Sequence, residues 1–137
     1  MTTRKIKSES EMLAFGESFT RTVQAPACIQ LIGDVGVGKT TFMRGFAHGL
    51  GVTEPVSSPS FTISKEYSFG EDGLLIHYDF YRLDDPGIML DDLVDSLSWK
   101  NNIVAIEWAD SATNILPENR IVIYITENED GSRTVEY

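Results

Sequence analysis

Residues 27–51 read ACIQLI, GDVGVGKT, TFMRGFAHGL and a final G, and this stretch decides the fold. Ala27 to Ile32 is an apolar run of strand length. Gly33-Asp34-Val35-Gly36-Val37-Gly38-Lys39-Thr40 then satisfies G-x-x-x-x-G-K-[ST]. Thr41 to Leu50 reads as a helix stopped at Gly51, a residue that accepts the left-handed backbone on which helices end. Strand, glycine loop and helix, in that order, make a phosphate-binding loop, and each residue type has a physical task. Glycines let successive backbone N–H groups turn inward on phosphate oxygens, while the helix presents its positive N-terminal end to the same anion. Lys39 is expected along the β- and γ-phosphates as a point charge and the Thr40 hydroxyl on Mg²⁺, with Thr41 next to them at the start of the helix. A glycine-rich turn with a chance lysine accounts for the spacing alone, but not for the spacing and its flanks together.

Toward the N-terminus, Arg4 to Lys7 reads as a short strand, and Ser8 followed by Glu11 as a capping box that opens a helix. Met12, Phe15, Phe19 and Val23 recur at helical spacing and form a stripe expected to dock on a sheet. Toward the C-terminus, Pro55 to Ser60 is a loop, and Phe61 to Phe69 and Leu74 to Tyr78 form a hairpin across Gly70-Glu71-Asp72-Gly73. Pro86 to Leu97 carries Leu90, Leu93, Val94 and Leu97 at helical spacing, and Ile103 to Ile106 is another apolar strand. Arg120 to Thr126 and Arg133 to Tyr137 close the chain as a hairpin through Asp130-Gly131. The expectation is one α/β domain over residues 1–137, a three-layer P-loop NTPase-like fold with a mixed β-sheet and helices on both faces.

Composition narrows the function. The 137 residues are 42% hydrophobic, enough for one domain with a core. A net charge of −10, from 21 acidic and 11 basic residues, argues against a surface that grips a nucleic-acid backbone by itself. No run of about 18 apolar residues occurs, and MTTRKIKSES has no apolar signal core, so a cytoplasmic location is expected. Cys28 is the only cysteine, which forbids an intramolecular disulfide; its apolar neighbours mark it as a buried, inert thiol.

Hydrolysis of a nucleotide also needs a carboxylate near the metal, at the C-terminal end of a strand beside the loop. Asp79 ends the run Leu74 to Tyr78 and Glu107 ends Ile103 to Ile106; spacing alone does not rank them, and either can be an exposed strand-end acid without a role. Ser60 and Thr62, in the serine-rich loop after the helix, stand where nucleotide switches keep a hydroxyl that senses the γ-phosphate, with a plain turn as the competing reading. Arg82 stands where it can stabilise phosphate charge, or form a surface ion pair.

GDVGVGKTTFMRG, SSPSFT, His77-Tyr78-Asp79-Phe80-Tyr81-Arg82-Leu83 and Glu107-Trp108, in this order and spacing, resemble the TsaE family, formerly called YjeE. The resemblance covers nearly the whole chain, and H-x-D-x-Y-R beside this loop is far more specific than the loop alone. It implies an ATPase needed in bacteria for threonylcarbamoyladenosine in tRNA, working with the TsaB and TsaD proteins and meeting tRNA only through that complex. It further implies that Thr40 and Glu107 hold Mg²⁺, that Asp79 is essential for hydrolysis, and that Trp108 lies close to the nucleotide. One departure is Ser60, where the family usually has threonine; the hydroxyl is kept and the methyl lost.

Three other readings compete. A small-molecule kinase would use Asp79 as a base, but Pro86 to Asn102 is short for a lid and has no arginine to clamp a phosphoryl group. A GTP-dependent switch matches a loose D-x-x-G at Asp84-Asp85-Pro86-Gly87, yet no N-K-x-D occurs in the chain. A module holding ATP as structural glue would lack turnover.

Overall fold

The computed structural model describes residues 1–59, 63–81 and 87–137. Its elements in chain order are β1 (Thr3–Ile6), α1 (Glu9–Phe19), β2 (Ala27–Ile32), α2 (Lys39–Leu50), β3 (Ser64–Phe69), β4 (Gly73–Asp79), α3 (Ile88–Ser98), β5 (Asn102–Glu107), β6 (Ile121–Glu127) and β7 (Arg133–Glu136). Short 3-10 helices follow α1, at Thr20–Thr22, and β5, at Ala109–Ile115. Among the described residues the strands form one seven-stranded sheet in the order β1-β7-β6-β2-β5-β4-β3.

The four central strands, β6, β2, β5 and β4, run parallel, and antiparallel strands flank them on both sides. Central parallel strands are covered on both faces, which is why Ala27 to Ile32 and Ile103 to Ile106 read as apolar runs rather than alternating ones. Side-chain alternation divides the core in two. Ile29, Leu31, Leu75, Ile103 and Ala105 pack with Met12, Phe15, Phe42 and Phe46 of α1 and α2, whereas Cys28, Ile76, Tyr78, Val104 and Ile106 pack with Leu93 of α3. The mixed sheet with helices on both faces is the expected architecture.

Local signals behave as their chemistry requires. Ser8 caps α1 by accepting the Glu11 N–H at 3.1 Å, and the returning bond to Glu11 Oε2 comes from the Lys7 backbone N–H at 2.7 Å. At the end of α2, Gly51 has φ 94° and the Val52 N–H reaches the Ala47 carbonyl at 3.0 Å, satisfying a carbonyl that the last turn leaves open. Burial pushes the Cys28 thiol up to about 11 despite the opposing charge of Arg120, in keeping with an inert core residue. No helix among the described residues is long and apolar enough to cross a membrane.

Two stripe residues depart from expectation. Val23 is extended rather than helical, because α1 ends at Phe19 and the chain tightens into a 3-10 turn before it. Val94 is 51% exposed: a helix lying on a sheet buries one narrow face, and Leu93 occupies it. Several boundaries also shift, most of them by one or two residues. The expected strand Phe61 to Phe69 begins at Ser64, with Phe61 and Thr62 outside the described residues.

Helices α1 and α2 approach at glycines. A Cβ on Gly45 would collide with the Leu13 carbonyl, and one on Gly16 with the Phe42 carbonyl. Gly45→Ala is therefore expected to destabilise the protein by about 2 kcal/mol, overpacking outweighing the better helix propensity of alanine. Urea unfolding measures it; an unchanged midpoint would mean that the two helices can separate freely.

Candidate functional site

The glycine-rich loop between β2 and α2 is shaped by backbone geometry. Gly36 and Gly38 have φ 85° and 113°, values that side chains resist. Gly33 is needed for a different reason: a Cβ there would lie 2.5 Å from the Ile125 carbonyl oxygen of β6. Gly38 is the N-cap of α2 and supplies no capping side chain, so the first-turn N–H groups are left for a ligand or solvent. Arg133 of β7 pins the loop from behind, donating Nε to the Val37 carbonyl at 2.9 Å and reaching the Gly36 carbonyl at 3.4 Å. Because a trans peptide is planar, a Val37 carbonyl held by Arg133 turns the Gly38 N–H the other way.

Beside the loop lies a cleft of about 470 Å³, whose lining includes Lys39, Thr40, Ser58, Asp79, Glu107 and Trp108. Asp79 and Glu107 are register partners at the ends of the parallel strands β4 and β5, which run about 4.8 Å apart, so both acids emerge side by side at the carboxyl end of the sheet. The cleft thus sits outside the carboxyl ends of the central strands, where the chain leaves β2 toward one side and later returns to β6 on the other.

Lys39 is 6% exposed. Its ammonium donates to the Gly33 carbonyl at 2.5 Å, stands 3.5 Å from Glu107 Oε1, and lies 4.3 Å from the centre of the Trp108 ring. Tyr81 extends that aromatic wall, its ring centre 4.9 Å from that of Trp108. The other oxygen of Glu107, Oε2, is 2.6 Å from His77 Nε2. Asp79 is arranged differently: Oδ1 accepts the Tyr81 backbone N–H at 2.9 Å, and Oδ2 is 3.5 Å from the Ser58 hydroxyl.

Burial alone would push the Glu107 carboxyl up; the hydrogen bond and charge of His77 and the charge of Lys39 outweigh it and hold the group below its ordinary value. A carboxyl with a depressed folded-state pKa adds stability that is present above its ordinary value of 4.5 and is lost as pH falls through the lower folded-state value. Glu107→Gln should accordingly flatten the acid limb of a plot of urea midpoint against pH. A limb as steep as that of the unaltered protein would show that other carboxyls govern acid unfolding.

The structure brings together Gly36, Gly38, Lys39, Thr40, Thr41, Asp79, Glu107 and Trp108, with Val35 exposed at the rim. Gly33 contributes through the carbonyl that receives Lys39, and Asp34 is exposed and lines a neighbouring depression with Trp108. The Val37 side chain is turned into the core, leaving its backbone as the part near the loop. Ser60, Thr62, Arg82 and the Asp84-Asp85-Pro86 stretch lie outside the described residues. Sequence reasoning gave no role to His77, Ser58, Tyr81 or Arg133. The H-x-D-x-Y-R spacing contained a signal for His77, two residues before Asp79 on the same strand face, but Arg133 is 96 residues from the carbonyl it holds and left none.

Chemically, the arrangement offers, among the described residues, uncapped N–H donors, a buried ammonium and two carboxylates around one cleft. A family model described as "Threonylcarbamoyl adenosine biosynthesis protein TsaE" matches residues 6–135. The chain belongs to the TsaE family. Two TsaE relatives, each called a tRNA threonylcarbamoyladenosine biosynthesis protein, illustrate the likeness. That of Bacillus subtilis is 41% identical over 112 residues, covering 80% of this chain and 67% of the relative. That of Nostoc is 35% identical over 141 residues, covering 99% and 85%. The crystal structure of Bacillus subtilis YdiB superposes with a TM-score of 0.79 at 31% identity, covering 98% of this chain and 82% of that one.

Proposed function

We propose that this chain is a Mg²⁺-dependent ATPase serving the N6-threonylcarbamoyladenosine modification at position 37 of tRNA. It acts as a single P-loop ATPase domain in the cytoplasm, slow alone and stimulated by TsaB and TsaD, and it drives or resets the threonylcarbamoyl transfer complex. The observation that carries this reading is the convergence of Lys39, the uncapped start of α2 and two register-paired carboxylates on one cleft.

In this reading the α2 N–H groups and the Gly36 to Thr41 loop cradle the phosphates, and Lys39 leaves Gly33 and Glu107 to lie along them. The Thr40 hydroxyl and the Glu107 carboxylate would hold Mg²⁺. Both are hard oxygen donors, and Mg²⁺ in nucleotide sites takes one or two protein oxygens, completing its shell with phosphates and water. A protein-only cage is not needed; no cluster of three or more His, Cys, Asp or Glu suited to a metal occurs among the described residues. When bound, the ion neutralises charge on the phosphate oxygens. Asp79 shares the cleft without contacting Lys39 and is suited to orient the attacking water and accept its proton. Trp108 walls the nucleotide side of Lys39, and Ser60 remains a candidate for the γ-phosphate.

ATP rather than GTP is supported by the missing N-K-x-D, and contact with tRNA only through partners by the net charge of −10. The test is steady-state phosphate release from ATP and GTP, by the protein alone and with TsaB, TsaD and substrate tRNA. Preference for ATP with stimulation by the partners is expected; a preference for GTP, or no stimulation, would overturn the assignment.

A further inference from the structure

His77 lies in the middle of β4, two residues before Asp79 and on the same sheet face, and its side chain is fully buried. Its register partner on β5 is Ala105, whose small side chain gives the ring room to reach diagonally to Glu107. The 2.6 Å separation of Nε2 from Oε2 marks a short, charge-assisted hydrogen bond. Nδ1, the other ring nitrogen, has no hydrogen-bond partner among the described residues. A position that needed only volume would be better served by an apolar side chain, which carries no orphaned nitrogen. The contribution of this ring is therefore made at Nε2. Glu107 is consequently divided: Oε2 is tied to the sheet interior and Oε1 faces Lys39 across 3.5 Å.

We infer that His77 is a positioning residue for Glu107, holding one carboxylate oxygen so that the other alone is offered to the cleft. The inference rests on the ATPase reading and deepens it by naming what orients the metal-side carboxylate. With Oε2 engaged, Glu107 cannot close on Lys39 through both oxygens, so the ammonium is held loosely enough to pass to phosphates. The same restraint leaves Oε1 as the oxygen available to a cation. Without His77, Glu107 is free to turn both oxygens toward Lys39, and Lys39 and the metal site are impaired together.

The test is calorimetric titration of the full chain with ATP, once with Mg²⁺ and once with EDTA, read as the ratio of the two Kd values. His77→Phe fills the volume without a donor, His77→Asn is too short to reach Oε2, and His77→Gln places an amide N–H near the position of Nε2. The Mg²⁺-dependent gain in affinity is expected to fall roughly tenfold in His77→Phe and His77→Asn and to stay within about threefold in His77→Gln. The melting temperature of His77→Phe is expected to fall, since Glu107 stays buried and loses its short bond to Nε2. An unchanged ratio in His77→Asn, or a loss in His77→Gln equal to that in His77→Asn, would overturn the inference. Should His77→Phe fail to fold, the Asn and Gln variants decide by themselves. An unaltered protein that binds no ATP under either condition would overturn the ATPase reading and this inference with it. Mg²⁺-dependent binding that His77→Asn leaves intact would overturn the inference alone.

Discussion

Lys39→Ala is expected to lose ATP binding and phosphate release together, the latter by at least roughly a hundredfold. Two effects act in the same direction. The ammonium is the cleft's own cation, almost wholly buried, and its attraction for phosphate is little screened by water there. Its removal also takes the ammonium away from Glu107 Oε1, so a carboxylate that faced a cation now repels the incoming phosphates. The variant should be less stable by about 2 kcal/mol, because one partner of a buried ion pair is gone while Glu107 keeps its bond to His77. Adding Glu107→Gln separates the two effects: it should recover part of the binding by removing the repulsion, and none of the turnover. Calorimetry and phosphate release measure both. A Lys39→Ala protein that binds and hydrolyses ATP normally would sink the assignment of the loop.

Asp79→Ala should behave in the opposite way, retaining ATP with a Kd within about threefold while turnover falls by roughly a thousandfold. Asp79 shares the cleft but stands apart from the Lys39 pair, its carboxylate placed by the Tyr81 N–H and the Ser58 hydroxyl. Its loss therefore leaves the phosphate-binding groups in place and removes a group expected to act in the transition state. Glu107→Ala is the contrasting variant, weakening the dependence of binding on Mg²⁺, since Glu107 is the acid coupled to Lys39 and carrying an engaged oxygen. Measured side by side, the two separate metal binding from activation of water; exchanged phenotypes would exchange the roles.

Ranking these acids shows how far the linear chain can be read. Each ends an apolar strand, and nothing in the spacing of Asp79 and Glu107 tells one from the other. The difference comes from what crosses to them: Lys39 from α2 and His77 from the neighbouring strand reach Glu107, whereas Asp79 is set by its own turn and by Ser58. Each helix stripe held except at one member, for a related reason. Val23 and Val94 carry the right period, but where a helix stops and how wide a face it buries depend on the sheet beneath it.

By itself the sequence determined the phosphate-loop grammar around Gly33 to Thr40, the caps at Ser8 and Gly51, and the apolar strands at Ala27 to Ile32 and Ile103 to Ile106. These rest on local chemistry: a side chain that caps its own helix, a glycine that tolerates positive φ, an apolar run buried on two faces. Tertiary structure alone decided that β1 pairs with β7, that Arg133 braces the loop, and that His77 divides the oxygens of Glu107. Such contacts join residues 30 to 133 positions apart, and their partners are selected by strand order and register, which no local pattern encodes.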